Sequence, residues 1–141
     1  MATLDGKVAI GFFNTNQDPC IDIEVSNPIG WKQKLTCLID TGFTGFLSIP
    51  MFTAFPIGLL LSGTMSLTLA DGSTQFRLTC LGSASLDGEA QVGVIIIEPS
   101  SDQVLLGMDF LRKFNLQLIV DPINSTVELR KIAASAVPAT P

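Results

Sequence analysis

The sequence predicts a mainly-β, barrel-like domain with one or two short helices. Three observations point there. Apolar and polar residues alternate with period two in several stretches, most cleanly over 20–26 and 64–69, as half-buried strands require. Asp71-Gly72 and Asp87-Gly88 are hairpin signals, because the favoured two-residue turns need φ > 0 that Asp and Gly tolerate. Helical spacing is confined to two brief stretches, so strands outnumber helices. With 141 residues, 47% of them apolar, the chain can bury one core. We assign the domain to 1–132 and expect the small, Pro-containing stretch 133–141 to be a flexible tail.

Taken in order, 7–13 reads as a first strand and 14–19 as a polar turn. Strand 20–26 follows. Asn27-Pro28-Ile29-Gly30 is turn chemistry, Pro presetting φ and Gly accepting a positive one. Residues 31–39 return as the next strand, with Trp31 packing on the hairpin. Residues 46–49 are a short apolar strand. Pro50 is placed as a first-turn residue of a brief helix over 51–55, which Pro56 stops. Leu59, Leu60 and Leu61 are read as core, and Ser62-Gly63 as a turn. Strand 64–69 and strand 74–85 flank Asp71-Gly72, with Phe76, Leu78 and Cys80 sharing one face. Strand 89–98 ends in an apolar run, 94–97, that looks buried on both faces. A loop over 99–102 precedes the short strand 104–107. Phe110, Leu111 and Phe114 then fall at helical spacing, and Asn115 stops that helix. Strands 116–120 and 125–131 close the domain. The total is seven to nine strands.

Composition excludes several functions. The net charge is -5 and no basic run occurs, which argues against nucleic acid or an anionic membrane as a partner. No apolar stretch approaches the roughly 20 residues that span a bilayer. The N-terminus lacks the form of a secretory signal, so a soluble, cytoplasmic protein is expected. The chain contains no His, so Ser-His-Asp and Cys-His sites and most zinc sites cannot be built from it. Cys20, Cys37 and Cys80 form no Cys-x-x-Cys pair and read as reduced, buried thiols. No metal or other cofactor is implied. Carboxylates are the leading candidates for acid–base chemistry.

Of nine Asp, most have ordinary explanations. Asp71 and Asp87 belong to hairpin turns. Asp18, Asp102 and Asp121 lie in loops. Asp40 differs, because an apolar strand delivers it directly into the turn Asp40-Thr41-Gly42, after which a second apolar run leaves. Burying charge there is costly unless it is paired, hydrogen-bonded or protonated.

Further on, Val104-Leu105-Leu106-Gly107-Met108-Asp109-Phe110-Leu111 follows a hairpin-rich stretch. An Asp-Thr-Gly turn, a hairpin, then an apolar-apolar-Gly segment entering a short helix resemble the retropepsin-like aspartic proteases. Phe43-Thr44-Gly45-Phe46-Leu47-Ser48-Ile49-Pro50 is similar to the form in small bacterial relatives. The resemblance covers about 7–131. It implies a retropepsin-like closed β-barrel half that dimerises, and aspartic endopeptidase activity on peptide or protein substrates. Asp40, Thr41 and Gly42 would be the catalytic turn. Ala70, Asp71 and Gly72 would tip the flap. Phe43 and Thr44 beside the turn, and Ile96 and Val104 in the strands, are pocket candidates, as are Ile49 and Ile95. Plain core is an equally good reading of each of the strand residues.

The chemistry fits these residue types. Two adjacent carboxylates do not both ionise cheaply and share a proton, so one serves as general base on a water while the other donates to the peptide carbonyl. The tripeptide occurs once, so the dyad needs Asp40 from each of two chains on a two-fold axis. Phe43 stands where many relatives have a small residue, which would narrow the adjacent pocket. Strand 127–132 or the N-terminal strand is expected in a dimer sheet. Two other readings remain open: a non-cleaving peptide-binding or assembly module of the same fold, and a barrel in which Asp40 is only a turn residue.

Overall fold

The computed structural model describes residues 8–132. Lys7 and the expected tail over 133–141 lie outside the described residues. The elements run β1 (Val8–Ile10), β2 (Phe12–Phe13), β3 (Pro19–Ser26), β4 (Lys32–Ile39), β5 (Leu47–Pro50), α1 (Met51–Ile57), β6 (Leu60–Thr68), β7 (Thr74–Leu86), β8 (Glu89–Glu98), β9 (Val104–Leu106), α2 (Met108–Lys113), β10 (Leu116–Asp121) and β11 (Thr126–Lys131).

Six strands close a barrel. β3 pairs with β4, β4 with β9, β9 with β5, β5 with β8 and β8 with β7, and β7 returns to β3 through Val25↔Ala84 and its neighbours. Closure removes edges from these strands. Alternation then sorts the side chains. Ile21, Ile23 and Val25 of β3 and Leu35, Cys37 and Ile39 of β4 point inward and are buried. β2 and β6 hang on the outside as edge strands. β1, β11 and β10 form a separate three-stranded sheet, whose Val127 and Leu129 join the same core.

Several expectations change. The first strand is two strands, since Gly11 breaks it: a Cβ there would collide with the Cys20 carbonyl oxygen and lie 2.9 Å from Val127 Cγ1. β1 consequently pairs with β11, and β2 with β3. Pro50 is the N-cap of α1 and also the last residue of β5. The helix runs through Pro56 to Ile57. So close to the helix end the missing N–H forfeits one bond, and the stop is made by Gly58 at φ 76°, whose N–H donates to Phe55 O at 3.0 Å. Ser62-Gly63 is no turn but a bulge inside β6. Leu60 and Leu61 are exposed rather than core, because β6 has the barrel on one side only. Trp31 is likewise exposed, as are Phe76 and Leu78, which lie beyond the last β7–β8 pair. In the run 94–97, Val94 faces outward while Ile95, Ile96 and Ile97 are buried. Short pieces such as β2 raise the count to eleven strands among the described residues. β11 is the central strand of its sheet, paired on both sides, so the edges available to another chain are β1 and β10.

The three thiols are free and buried. Burial pushes the Cys37 thiol up strongly, with Asp22 and Cys20 adding to the shift.

Candidate active site

Asp40 directly follows β4 at the point where β9 ends beside it, Ile39 pairing with Leu106 in parallel. The Asp40 N–H donates to Leu106 O at 2.9 Å. The chain then turns, with Phe43 N–H donating to Asp40 O at 3.1 Å. The loop is stitched to the start of α2. Gly107 N–H donates to Phe46 O at 3.1 Å, Met108 N–H to Phe43 O at 2.8 Å, and Asp109 N–H to Gly45 O at 3.1 Å. Loop carbonyls are thus satisfied by the first N–H groups of a helix, which would otherwise be orphans. Beneath, Phe46 packs on Phe110 at 5.2 Å between ring centroids, and Phe110 stacks on Phe114 at 4.4 Å. A rigid aromatic stack therefore supports the turn.

Asp40 is half-buried. Its Oδ1 accepts a hydrogen bond from Gly42 N–H at 2.9 Å, the one side-chain bond it makes among the described residues. A Cβ on Gly42 would lie 3.2 Å from that oxygen, so glycine leaves the carboxylate open on this side. Most of the acceptor capacity of an ionised carboxylate is left for a ligand, water or another chain.

Phe43 does not simply project into space. A Cβ on Gly45 would lie 2.6 Å from its ring, and one on Gly107 would lie 2.6 Å from the ring and collide with Gly45 O. The half-buried ring is seated on these two glycines, one from each side of the stitched junction. Sequence reading singled out Gly107 as the end of an apolar strand. Gly45 was named there only as part of the stretch 43–50, because its role depends on where the Phe43 ring sits, which no local pattern shows.

No family model matches the chain, and no curated protein matches it. Among solved structures, a retropepsin-like aspartic protease from Rickettsia conorii superposes with a TM-score of 0.63. The match covers 94% of this chain and 98% of that one, at 20% sequence identity. The chain has the retropepsin-like fold. At this identity the likeness extends to the fold alone.

Within the retropepsin-like fold the other predicted site residues fall in separate places. Thr41 is exposed and lines a cleft of about 500 Å³ with Leu111 and Arg112 of α2, Leu118 of β10 and Ile132. Thr44 is exposed on the same loop. Ala70, Asp71 and Gly72 form the tip of the β6–β7 hairpin, where Leu69 and Ser73 pair and Gly72 takes φ 84°. Asp71 accepts from the Ser73 hydroxyl at 2.6 Å and the Ser73 N–H at 2.8 Å, and these bonds hold its carboxyl below the usual range. Ile49, Ile95 and Val104 belong to the core cluster. Ile96 is buried on the other face of β8, in a row with Ser48 and Thr79. No helix among the described residues is long and apolar enough to cross a membrane.

Proposed function

We propose that the chain is an aspartic endopeptidase acting as a homodimer, with residues 1–132 as its catalytic domain. The observation that carries this reading is the Asp40-Thr41-Gly42 turn. It is locked between β4, β9 and α2 of a retropepsin-like fold, with a half-buried Asp40 whose carboxylate makes one internal hydrogen bond among the described residues. In the dimer, Asp40 of each chain would meet its counterpart across the two-fold axis. The pair holds one proton between them, because two carboxylates in contact do not both ionise cheaply.

The steps follow from that state. The ionised carboxylate takes a proton from water, and the hydroxide formed attacks the carbonyl carbon of an extended peptide. The protonated carboxyl donates to the carbonyl oxygen as it becomes a hydroxyl. As the tetrahedral intermediate collapses, one of its hydroxyls gives its proton to the ionised carboxylate and the carbonyl re-forms, while the departing amine takes the proton of the other carboxyl, so the dyad again holds one proton. Gly42 keeps its Oδ1 side clear of a Cβ. Thr41, which lines the cleft with Leu118 and Ile132, would meet the second chain. Ala70, Asp71 and Gly72 would close over the substrate, while Phe43 and Thr44 border its side chains and Ile96 and Val104 back the pockets. The buried, reduced thiols suit a reducing compartment, and cytoplasmic location is part of this proposal.

The test compares wild type with Asp40→Asn on a mixed peptide library from acid to neutral pH. Wild type should cleave, and the variant should be slower by at least about a thousandfold. Equal cleavage by both would refute the assignment. A wild-type dimer silent at every pH would favour a peptide-binding or assembly module instead.

A further inference from the structure

We propose that Arg77 and Glu98 form a latch that sets the angle at which the β6–β7 hairpin leaves the barrel. The hairpin would swing about a hinge at Ser62, Gly63 and Thr79. The functional consequence rests on the reading of this hairpin as a flap, but the latch itself does not.

The β7–β8 ladder runs from Leu86↔Glu89 to Thr79↔Ile96 and stops there, although β8 continues to Glu98. Beyond that level, Thr74 to Leu78 pair only with β6. An isolated two-stranded hairpin is marginal in water, so this arm needs an external support. Extending the register by two residues would set Arg77 opposite Glu98. The backbone ladder is absent at that position and the side chains replace it. Arg77 Nε donates to both Glu98 oxygens at 3.2 Å. The rest of the guanidinium holds the arm itself, Nη2 donating to Gln75 Oε1 at 2.6 Å and Nη1 to Phe76 O at 3.2 Å. One planar group thus ties two arm residues to the barrel rim, a geometry that a Lys point charge does not reproduce. The pair is largely shielded, with side-chain exposures of 12% and 20%. It is therefore less screened than a surface ion pair.

The hinge lies next to the latch. On β6 the register slips between Leu61↔Cys80 and Gly63↔Thr79, leaving Ser62 as the extra residue of a bulge. Gly63 has φ 158°, which residues with a side chain rarely adopt. Ser62 and Thr79 are joined hydroxyl to hydroxyl at 3.0 Å. Both strands therefore change character at one level, β6 by bulging and β7 by losing its third strand. Arg77 sits two residues outward and is the only cation between that level and the tip. It is a positioning residue, acting through the arm.

Amide hydrogen exchange on the substrate-free protein tests the latch without reference to activity. In Arg77→Met and, separately, Glu98→Gln, exchange over 64–78 should quicken by about tenfold or more, with β3 and β4 unchanged. The exchanged-charge pair Arg77→Glu with Glu98→Arg should restore much of the protection. If cleavage is established, KM should rise several-fold with kcat within about twofold, because an ordered arm is required for binding. Arm exchange that stays at the wild-type rate in both single variants would overturn the latch and leave the Asp40 proposal untouched. Quickened exchange in every strand would also overturn it, by making the pair a general stabiliser.

Discussion

Glycine at 107 is demanded by two neighbours at once. Any Cβ there meets the Gly45 carbonyl oxygen and the Phe43 ring, and only the ring can move. Gly107→Ala should therefore cost about 1–3 kcal/mol, as overpacking does, read as a lower urea midpoint at unchanged slope. A variant that unfolds like wild type would mean that the turn around Asp40 is slack. The thiols give a second test at this scale. Burial raises all three, most strongly Cys37. The thiolate is the reactive form, so native protein at mildly alkaline pH should label slowly, and all three thiols should react once urea unfolds it. The sign for stability follows. The unfolded chain releases these protons near the ordinary value of 9.0, while the folded chain retains them. Their contribution is present below pH 9 and declines as pH rises above it.

At the scale of elements, α2 does more than its six residues suggest. Its first N–H groups hold the Asp40 loop, and Phe110 fixes the helix between Phe46 and Phe114. Phe110 is fully buried, so Phe110→Ala should cost about 3–5 kcal/mol, measured by denaturant titration. Exchange of the Met108 and Asp109 amides should quicken more than that of β3. Helix α2 was legible in the sequence because the spacing of Phe110, Leu111 and Phe114 is local. So were the hairpins at Asp71-Gly72 and Asp87-Gly88, although both residues take a positive φ only at the second, Gly72 alone doing so at the first. The bulge at Ser62-Gly63 was not, because a bulge is defined by the partner strand and a Ser-Gly pair equally suits a turn. Nor was the continuation of α1 through Pro56, which depends on how close the helix end is. The exposure of Leu60 and Leu61 depends on β6 being an edge, and edges are decided by pairing rather than by local composition.

For the whole molecule, the decisive contacts join stretches far apart in sequence. Barrel closure rests on β3 meeting β7, and the core continues into a sheet made from both ends of the described chain. No local pattern announces either. The Asp40 turn was visible in sequence, whereas the bonds that hold it run between backbone groups and carry no residue signature. With β11 central in its sheet, the N-terminal strand β1 and β10 are the edges that sheet offers, and the cleft beside Thr41 is a further face for a second chain. Ile132 lines that cleft and is half exposed. If the second chain docks there, Ile132→Glu should leave a folded monomer and weaken dimerisation by about tenfold or more in sedimentation, since a charge would be buried at the contact. Unchanged association would place the interface elsewhere. The central claim is that one active site takes a carboxylate from each of two chains. Mixing wild type with a large excess of Asp40→Asn chains, under conditions where subunits exchange, tests this directly. The account predicts that peptide cleavage falls toward zero as mixed dimers replace wild-type ones. Cleavage that stays proportional to wild-type chains alone would contradict it.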